Sequence, residues 1–296
     1  MISPRAKALF DQYRLLAAAP QNFDLAAIRA SCEGAEQQTT IPAGVHFAEE
    51  TLAGVELIRC TPPKFTSAYR VIYLHGGAHC LMSAKTHARM CGHLALACGA
   101  EVLVPDYRLA PENAFPEGLN DALAVISAQG IPTALAGDSS GGGLAAACLL
   151  SLLGDKAQPF CAVLMSPWLD LTLSLPSVTE NAVKDLMLRE GNLRQFAALY
   201  LAGNPAITPL ASPLHANLGS LPPILLQAAE DDLLRDDALL FAEKLRQAGN
   251  AATLELYPQM QHSFQFFAGR IPEADAALKA AAQFIAAHEP LASRSM

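Results

Sequence analysis

The pattern of hydrophobic and polar positions changes character near Val45. Residues 1–44 mix polar and apolar positions in a helical pattern, broken at Pro20 and closed near Pro42. Beyond them, short apolar runs bounded by turn residues alternate with longer amphipathic stretches. The runs fall at 71–74, 102–104, 134–136, 162–165, 224–228 and 253–256, and helical patterns at 86–98, 117–128, 140–153, 236–248 and 273–287. Strands alternating with helices predict crossover connections and a mostly parallel sheet. Runs that are nearly continuous in apolar residues predict strands covered on both faces. One interval breaks the rhythm. Roughly sixty residues separate the run ending at Met165 from the one starting at Ile224, far more than a crossover helix needs. Pro176, Pro205, Pro209 and Pro213 punctuate it, and 185–201 reads as a helix. Such an insertion is either a lid above the sheet edge or an ordinary peripheral subdomain.

Composition narrows the class. Of 296 residues 52% are hydrophobic and 16% charged, enough apolar material for a large core and too much for disorder. The net charge of −8, with no basic stripe, argues against a nucleic-acid partner. No run reaches the about 18 apolar residues that a membrane span requires. Arg5, Lys7, Asp11 and Arg14 interrupt the first helical pattern, leaving no signal-peptide core. The cysteines are Cys32, Cys60, Cys80, Cys91, Cys98, Cys148 and Cys161, an odd number without a Cys-x-x-Cys pair. Free thiols in a cytoplasmic protein are the simplest reading.

The chemistry gathers at strand ends. Gly137-Asp138-Ser139-Ser140-Gly141 follows the run at 134–136 and opens a helix of small residues. That is the setting of a nucleophile elbow, in which the helix N-terminus offers free N–H groups to an oxyanion; without it the segment is a plain Gly/Ser turn. Ser139, in the middle of the pentapeptide, is the candidate nucleophile. Upstream, the run at 71–74 leads into His75-Gly76-Gly77-Ala78-His79, a loop whose amides are unobstructed. His75 is expected to brace that loop. A metal set of His75, His79, His87 and His93 is the alternative. It is disfavoured because the last two belong to a separate helical pattern and no carboxylate motif accompanies them.

A serine hydroxyl needs a base, and the base an orienting acid. Three histidines follow Ser139: His215 in the insertion, His288 at a helix end and His262 after the last apolar run. Only His262 has the post-strand position at which open α/β sheets meet ligands. The run at 224–228 leads into an acidic cluster. Asp236 and Asp237 open the next helix and read as its caps, which leaves Asp232 as the leading acid and Asp231 as the fallback. The cluster also resembles an aspartate-rich metal site, but it joins a strand to a helix instead of lining helix faces.

Taken together, these blocks resemble the hormone-sensitive-lipase-like branch of the α/β-hydrolases over roughly residues 70–285. The blocks are His75-Gly76-Gly77, Asp106-Tyr107-Arg108-Leu109-Ala110-Pro111-Glu112, Gly137–Gly142, Ser166-Pro167-Trp168-Leu169-Asp170, Ala211-Ser212-Pro213-Leu214, Asp232–Asp237 and Met260–Phe264, in the family's order. The resemblance implies an α/β-hydrolase fold with a mostly parallel eight-stranded sheet flanked by helices and a helical cap. The cap would comprise 1–44 and 172–212, and the catalytic domain 45–171 and 213–296. Ser139, Asp232 and His262 would form the triad. Backbone amides of Gly77, Ala78 and Ser140 would form the oxyanion hole, with Gly76 shaping the loop.

Two departures stand out. Ala78 replaces the third glycine of the loop, and Ser140 replaces the usual alanine, a small change if only its backbone is used. Where the family usually has His-Gly-Phe, this chain has His262-Ser263-Phe264, and with Gln265 and Phe267-Ala268-Gly269 this end resembles bacterial acetyl-hydrolases and ε-lactone hydrolases.

The expected activity is hydrolysis of short-to-medium acyl esters, with no cofactor and no metal. Lactone hydrolysis by the same triad, amide hydrolysis, and a small-ligand binding protein that has lost the chemistry are the alternatives. The partner implied is a small apolar ester or lactone. A homodimer through the last strand and helix follows from resemblance alone. Leu186, Met187, Leu188, Phe196, Leu199 and Tyr200 could line the inner face of the cap.

Overall fold

The computed structural model describes residues 2–17, 23–65 and 67–290. The break expected at Pro20 lies outside the described residues. Two helices come first, α1 (Pro4–Ala17) and α2 (Leu25–Ser31). A hairpin follows, β1 (His46–Leu52) and β2 (Val55–Thr61), turned by Ala53 and Gly54 at φ 52° and 82°. The alternating part then runs β3 (Arg70–Leu74), α3 (Ala84–Cys98), β4 (Glu101–Pro105), α4 (Glu117–Ser127), β5 (Thr133–Asp138), α5 (Ser139–Ser151) and β6 (Cys161–Met165). After the insertion come β7 (Ile224–Ala229), α8 (Arg235–Gln247), β8 (Ala252–Tyr257) and α9 (Pro272–Ala287). The sheet has eight strands in the order β1-β2-β4-β3-β5-β6-β7-β8. Strands β3 to β8 are parallel, and the hairpin adds the two antiparallel pairings. This is the doubly covered α/β-hydrolase sheet.

The side-chain period of a strand explains the continuous apolar runs. Ile72, Leu74, Leu103, Leu135, Leu164 and Leu226 pack on one face beneath α4, α5 and α8. Their neighbours Val71, Tyr73, Val102, Ala134, Val163 and Leu225 pack on the other, beneath α3 and α9. Both faces are dry, so both parities must be apolar. The hairpin escaped this signal because most of β1 is exposed or half-exposed, with Glu49 and Glu50 among its residues.

The segment between β6 and β7 carries α6 (Pro176–Glu180) and α7 (Glu190–Leu201). Its Leu193, Phe196, Tyr200 and Leu201 bury against Trp168, Leu171 and Leu233, with Ile28 of α2 at the margin. The N-terminal helices therefore part company. Helix α1 places Ala6 and Phe10 against Phe264, Phe267 and Ala277, whereas α2 joins the insertion. The helix expected from residue 185 starts only at Glu190. The Asp185 carboxylate accepts the amides of Met187 (2.7 Å) and Leu188 (2.8 Å), a turn that competes with helical bonding. Among the described residues, no helix is long and apolar enough to cross a membrane.

Candidate active site

Strand β5 is buried throughout and passes into α5 without a loop. The reversal occurs at Ser139, whose φ of 51° lies in the left-handed region that side chains disfavour. The turn is tight because α5 runs against β3: a Cβ at Gly141 would sit 2.1 Å from the carbonyl oxygen of Leu74. Behind the elbow, Asp138 accepts hydrogen bonds from the Tyr73 hydroxyl (2.9 Å) and the Gly76 amide (2.9 Å). His87 Nε2 stands 3.3 Å away. Burial works against this charge, but His87 and the Tyr73 hydrogen bond outweigh it and hold the carboxyl down at about 2.

The loop after β3 is folded back on itself. The Gly77 carbonyl accepts the amides of Cys80 (3.0 Å) and Leu81 (2.8 Å), with Gly77 at φ 124°. Ala78 and His79 follow at φ 53° and 59°. Alanine thus occupies the left-handed region where the sequence pattern favours glycine. The Gly76 amide is committed to Asp138. Among the described residues the amides of Gly77, Ala78 and Ser140 have no internal acceptor. Ser140 contributes more than its backbone, contrary to the sequence-based expectation, since its hydroxyl accepts the His79 amide at 3.1 Å. His75 stacks on Tyr107 (4.3 Å, 15°), its Nδ1 lies 2.8 Å from the Gly76 carbonyl oxygen, and burial pushes it down to about 3. It braces the loop, as expected.

His262 lies in the turn after β8, with Nδ1 2.8 Å from Asp232 Oδ2. The other oxygen of Asp232 accepts the Leu234 amide at 2.8 Å. Asp232, not Asp231, meets the imidazole. Burial penalises the charged ring, but the adjoining Asp232, with Asp185 and Asp138 further off, raises the His262 pKa above its usual value. Ser139 and His262 open on the same cavity of about 760 Å³. Ser139 Oγ and His262 Nε2 make no hydrogen bond to each other. Ile28, Met187, Leu188, Leu193, Phe196 and Phe267 supply apolar lining. Of the inner-face candidates, Met187, Leu188 and Phe196 line it; Leu186, Leu199 and Tyr200 pack elsewhere.

The remaining candidates have structural partners. His215 Nε2 lies 2.9 Å from Asp170 Oδ1, and His288 Nδ1 2.8 Å from the Phe284 carbonyl oxygen. His79 stacks on Tyr200 (3.7 Å), and His93 Nε2 meets Thr40 Oγ1 (3.0 Å). Among the described residues, no group of three His, Cys, Asp or Glu side chains could hold a metal ion. Asp236 and Asp237 do not cap α8. Asp237 accepts the amides of Leu169 (2.7 Å) and Asp170 (2.8 Å), and Asp236 accepts the Ser177 amide (2.9 Å). Helix α8 has no side-chain cap, because these carboxylates reach across to the loop after β6 and to the insertion instead. Asp185 was not legible as a site residue. It is buried beside the acid loop, where its second oxygen accepts the Leu233 amide at 2.9 Å.

Comparison with known proteins gives the family. The alpha/beta hydrolase fold family matches residues 71–266. An acetyl-hydrolase of Streptomyces hygroscopicus is 38% identical over 222 residues, 73% of this chain and 74% of that protein. An esterase of Acinetobacter venetianus is 36% identical over 226 residues, 72% and 73% of the two chains. Among solved structures, an esterase of the bacterial hormone-sensitive lipase family superposes with a TM-score of 0.92 at 33% identity, covering 98% of this chain and all of that one. The chain belongs to the α/β-hydrolase fold family and, within it, to the hormone-sensitive-lipase-like esterases. It is a carboxylic-ester hydrolase.

Proposed function

We propose that the protein is a serine carboxylesterase hydrolysing short-to-medium acyl esters through an acyl-enzyme, with residues 1–44 and 172–212 as its cap. Ser139 is the nucleophile, His262 the general base, Asp232 its orienting acid, and the amides of Gly77, Ala78 and Ser140 the oxyanion donors. One observation carries the reading: the Asp232–His262 contact of 2.8 Å faces the cavity onto which the elbow serine opens. His262 Nε2 takes the proton from Ser139 Oγ as the oxygen attacks the ester carbonyl. Asp232 fixes the tautomer with the proton on Nδ1 and stabilises the imidazolium. Negative charge on the carbonyl oxygen is met by amides that have no other acceptor. Collapse of the tetrahedral intermediate breaks the bond to the alcohol, which leaves with the proton from His262. Water, its proton taken by His262, attacks the acyl-enzyme; collapse breaks the bond to Ser139 Oγ, which takes the proton back from His262, and the carboxylic acid is released. A lactone follows the same steps, with its alcohol still tethered to the acyl group.

Two further points belong to this reading. The seven cysteines are unpaired, which supports a reducing, cytoplasmic setting. Strand β8 ends the sheet and leaves Leu256 exposed, which supports pairing of two copies through β8 and α9.

The structural neighbour EstE5 (32% identical, TM-score 0.90) was crystallised and soaked with p-nitrophenyl butyrate, which makes that ester a natural first probe. Initial rates on p-nitrophenyl acetate, butyrate and octanoate should be measured beside Ser139→Ala. Turnover is expected on the shorter esters and should vanish in the variant. Equal rates for the two proteins would overturn the proposal.

A further inference from the structure

The insertion grips both loops that carry the acid and the base. Asn181, fully buried, donates from Nδ2 to the carbonyl oxygens of Glu230 (2.9 Å) and Asp232 (2.9 Å). The Ser177 hydroxyl donates to the Leu233 carbonyl oxygen at 2.7 Å. On the base loop, Gln261 accepts the Leu186 amide (2.7 Å) and donates to the Lys184 carbonyl oxygen (3.3 Å). Asp185 stands at the centre of this clamp, 2% exposed. One carboxylate oxygen accepts the amides of Met187 and Leu188, which line the substrate cavity; the other accepts the amide of Leu233, next to Asp232.

We propose that Asp185 is a positioning residue of the triad, which holds the cavity lip and the Asp232 loop in one register and sets a second negative charge beside His262. The proposal rests on the triad reading above and deepens it. A neutral hydrogen-bonding side chain could satisfy the three amides only in part, because amide donors call for acceptor oxygens on both arms. A carboxylate satisfies all three, and its charge then reaches the imidazole through a dry interior.

The charged neighbours are few. His262 contacts Asp232 of the acid loop and also feels the charges of Asp185 from the insertion and Asp138 from the elbow. On the same segment as Asp185, Lys184 donates to Asn181 Oδ1 (3.2 Å), and Arg189 donates to the main-chain oxygens of Asp185 (2.9 Å) and Leu188 (2.6 Å). On the acid loop Glu230 accepts the Gln259 amide (3.0 Å), Asp231 is half-buried, and Asp236 pairs with Arg235 (2.8 Å). Burial, and then the charge of Asp232, push the Asp185 carboxyl up from the usual carboxylate range, against the pull of His262 and the backbone amides. As a carboxylate, Asp185 favours the imidazolium form of His262.

The test is the pH profile of kcat/KM on p-nitrophenyl butyrate for Asp185→Asn, Asp185→Glu and Asn181→Ala, with Tm alongside. Asp185→Asn removes the charge, so His262 deprotonates more readily and the acid limb is expected to move down by about 0.5 pH unit or more. Its kcat should fall about tenfold, since the acid loop loses one of its anchors. Asp185→Glu restores the charge and should return the limb towards its native position. Asn181→Ala cuts the clamp without changing charge and should lower Tm while leaving the limb in place. Should Asp185→Asn fail to fold, Asp185→Ser relieves the donor-to-donor contact at Leu233 and carries the same reading. An acid limb unmoved in the folded, uncharged variants would overturn the proposal, as would a chain that folds with neither substitution. Neither result touches the triad itself, whose failure would appear separately as turnover surviving in Ser139→Ala.

Discussion

Gly77→Ala is the sharpest test of the oxyanion loop. A Cβ at this position would stand 2.1 Å from the Leu81 carbonyl oxygen and 3.1 Å from Met82 Cβ, and the residue sits at φ 124°. The obstacle is backbone and cannot rotate away. The loop is also closed by the bonds from Cys80 and Leu81 to the Gly77 carbonyl, so relief requires moving the turn by about 1 Å, enough to cost about 100-fold in rate when it misplaces a reacting group. The amides displaced are those of Gly77 and Ala78, assigned above to the developing oxyanion. Losing one such donor costs about 2.7–4 kcal/mol of transition-state stabilisation, or a fall of about 10² to 10³ in kcat. KM should change little, because the donors act on charge that develops only in the transition state. The assay is steady-state hydrolysis of p-nitrophenyl butyrate with Tm recorded for each protein. Gly130→Ala, where an added Cβ meets nothing within 4 Å, is the matched control. A folded Gly77→Ala protein with kcat within about threefold of the parent would refute the assignment of these amides, since it would require less than about 1 kcal/mol from the donors.

Three other outcomes follow from the same geometry. Because the folded site raises the His262 pKa and catalysis needs the neutral ring, kcat/KM should be full well above the ordinary histidine range and be lost as pH falls through a midpoint above about 6.5; a midpoint below that value would contradict the described charges. Ser140→Ala should lower kcat several-fold by releasing the His79 amide, and Ala78→Gly, which relieves the strained φ of 53°, should act non-additively with it in a double-mutant cycle; strict additivity would separate the two residues. Asp237→Ala strands the buried amides of Leu169 and Asp170 and should cost about 2–5 kcal/mol in urea unfolding; a loss below about 1 kcal/mol would show that these amides find other partners.

How far the sequence carried these conclusions depended on where each signal lived. Strands β3 to β7 were legible because two dry faces call for apolar residues on both parities, as at Ile72 on one side and Val71 on the other, whereas β8 at the sheet edge is half-exposed. Ser139 was legible because a strand entering a helix with no spacer demands small residues at fixed offsets, and His262 because it follows a strand at the active edge. Hairpin β1–β2 was not, since a sheet edge half open to solvent carries polar residues at core-like spacing. Asp236 and Asp237 misled for a different reason. Their position in the first turn of α8 fits a cap, and nothing local reveals that Leu169, Asp170 and Ser177 present amides to them from elsewhere.

Asp185 shows the same limit from the functional side. Its spacing fits the start of a helix, and by local rules the turn should continue into α7. The carboxylate instead serves three amides, two on its own segment and one on the Asp232 loop. The folding consequence and the chemical one are inseparable, because the turn that delays the helix to Glu190 also sets the lip of the cavity. An insertion held to the acid loop by Ser177, Asn181 and Asp185, and to the base loop by Gln261, is tied to the catalytic scaffold along residues 177–188. Any opening that admits substrate should therefore hinge beyond that stretch, at α7 and the N-terminal α2 that packs against it. Helix α7 is held by apolar contacts of Leu193, Phe196 and Tyr200, with the Phe115 amide on the Tyr200 carbonyl oxygen and Arg194 on the carbonyls of Thr172 and Leu173 as its polar ties. Apolar contacts are non-directional and can slide, whereas the buried polar clamp can be satisfied in only one arrangement.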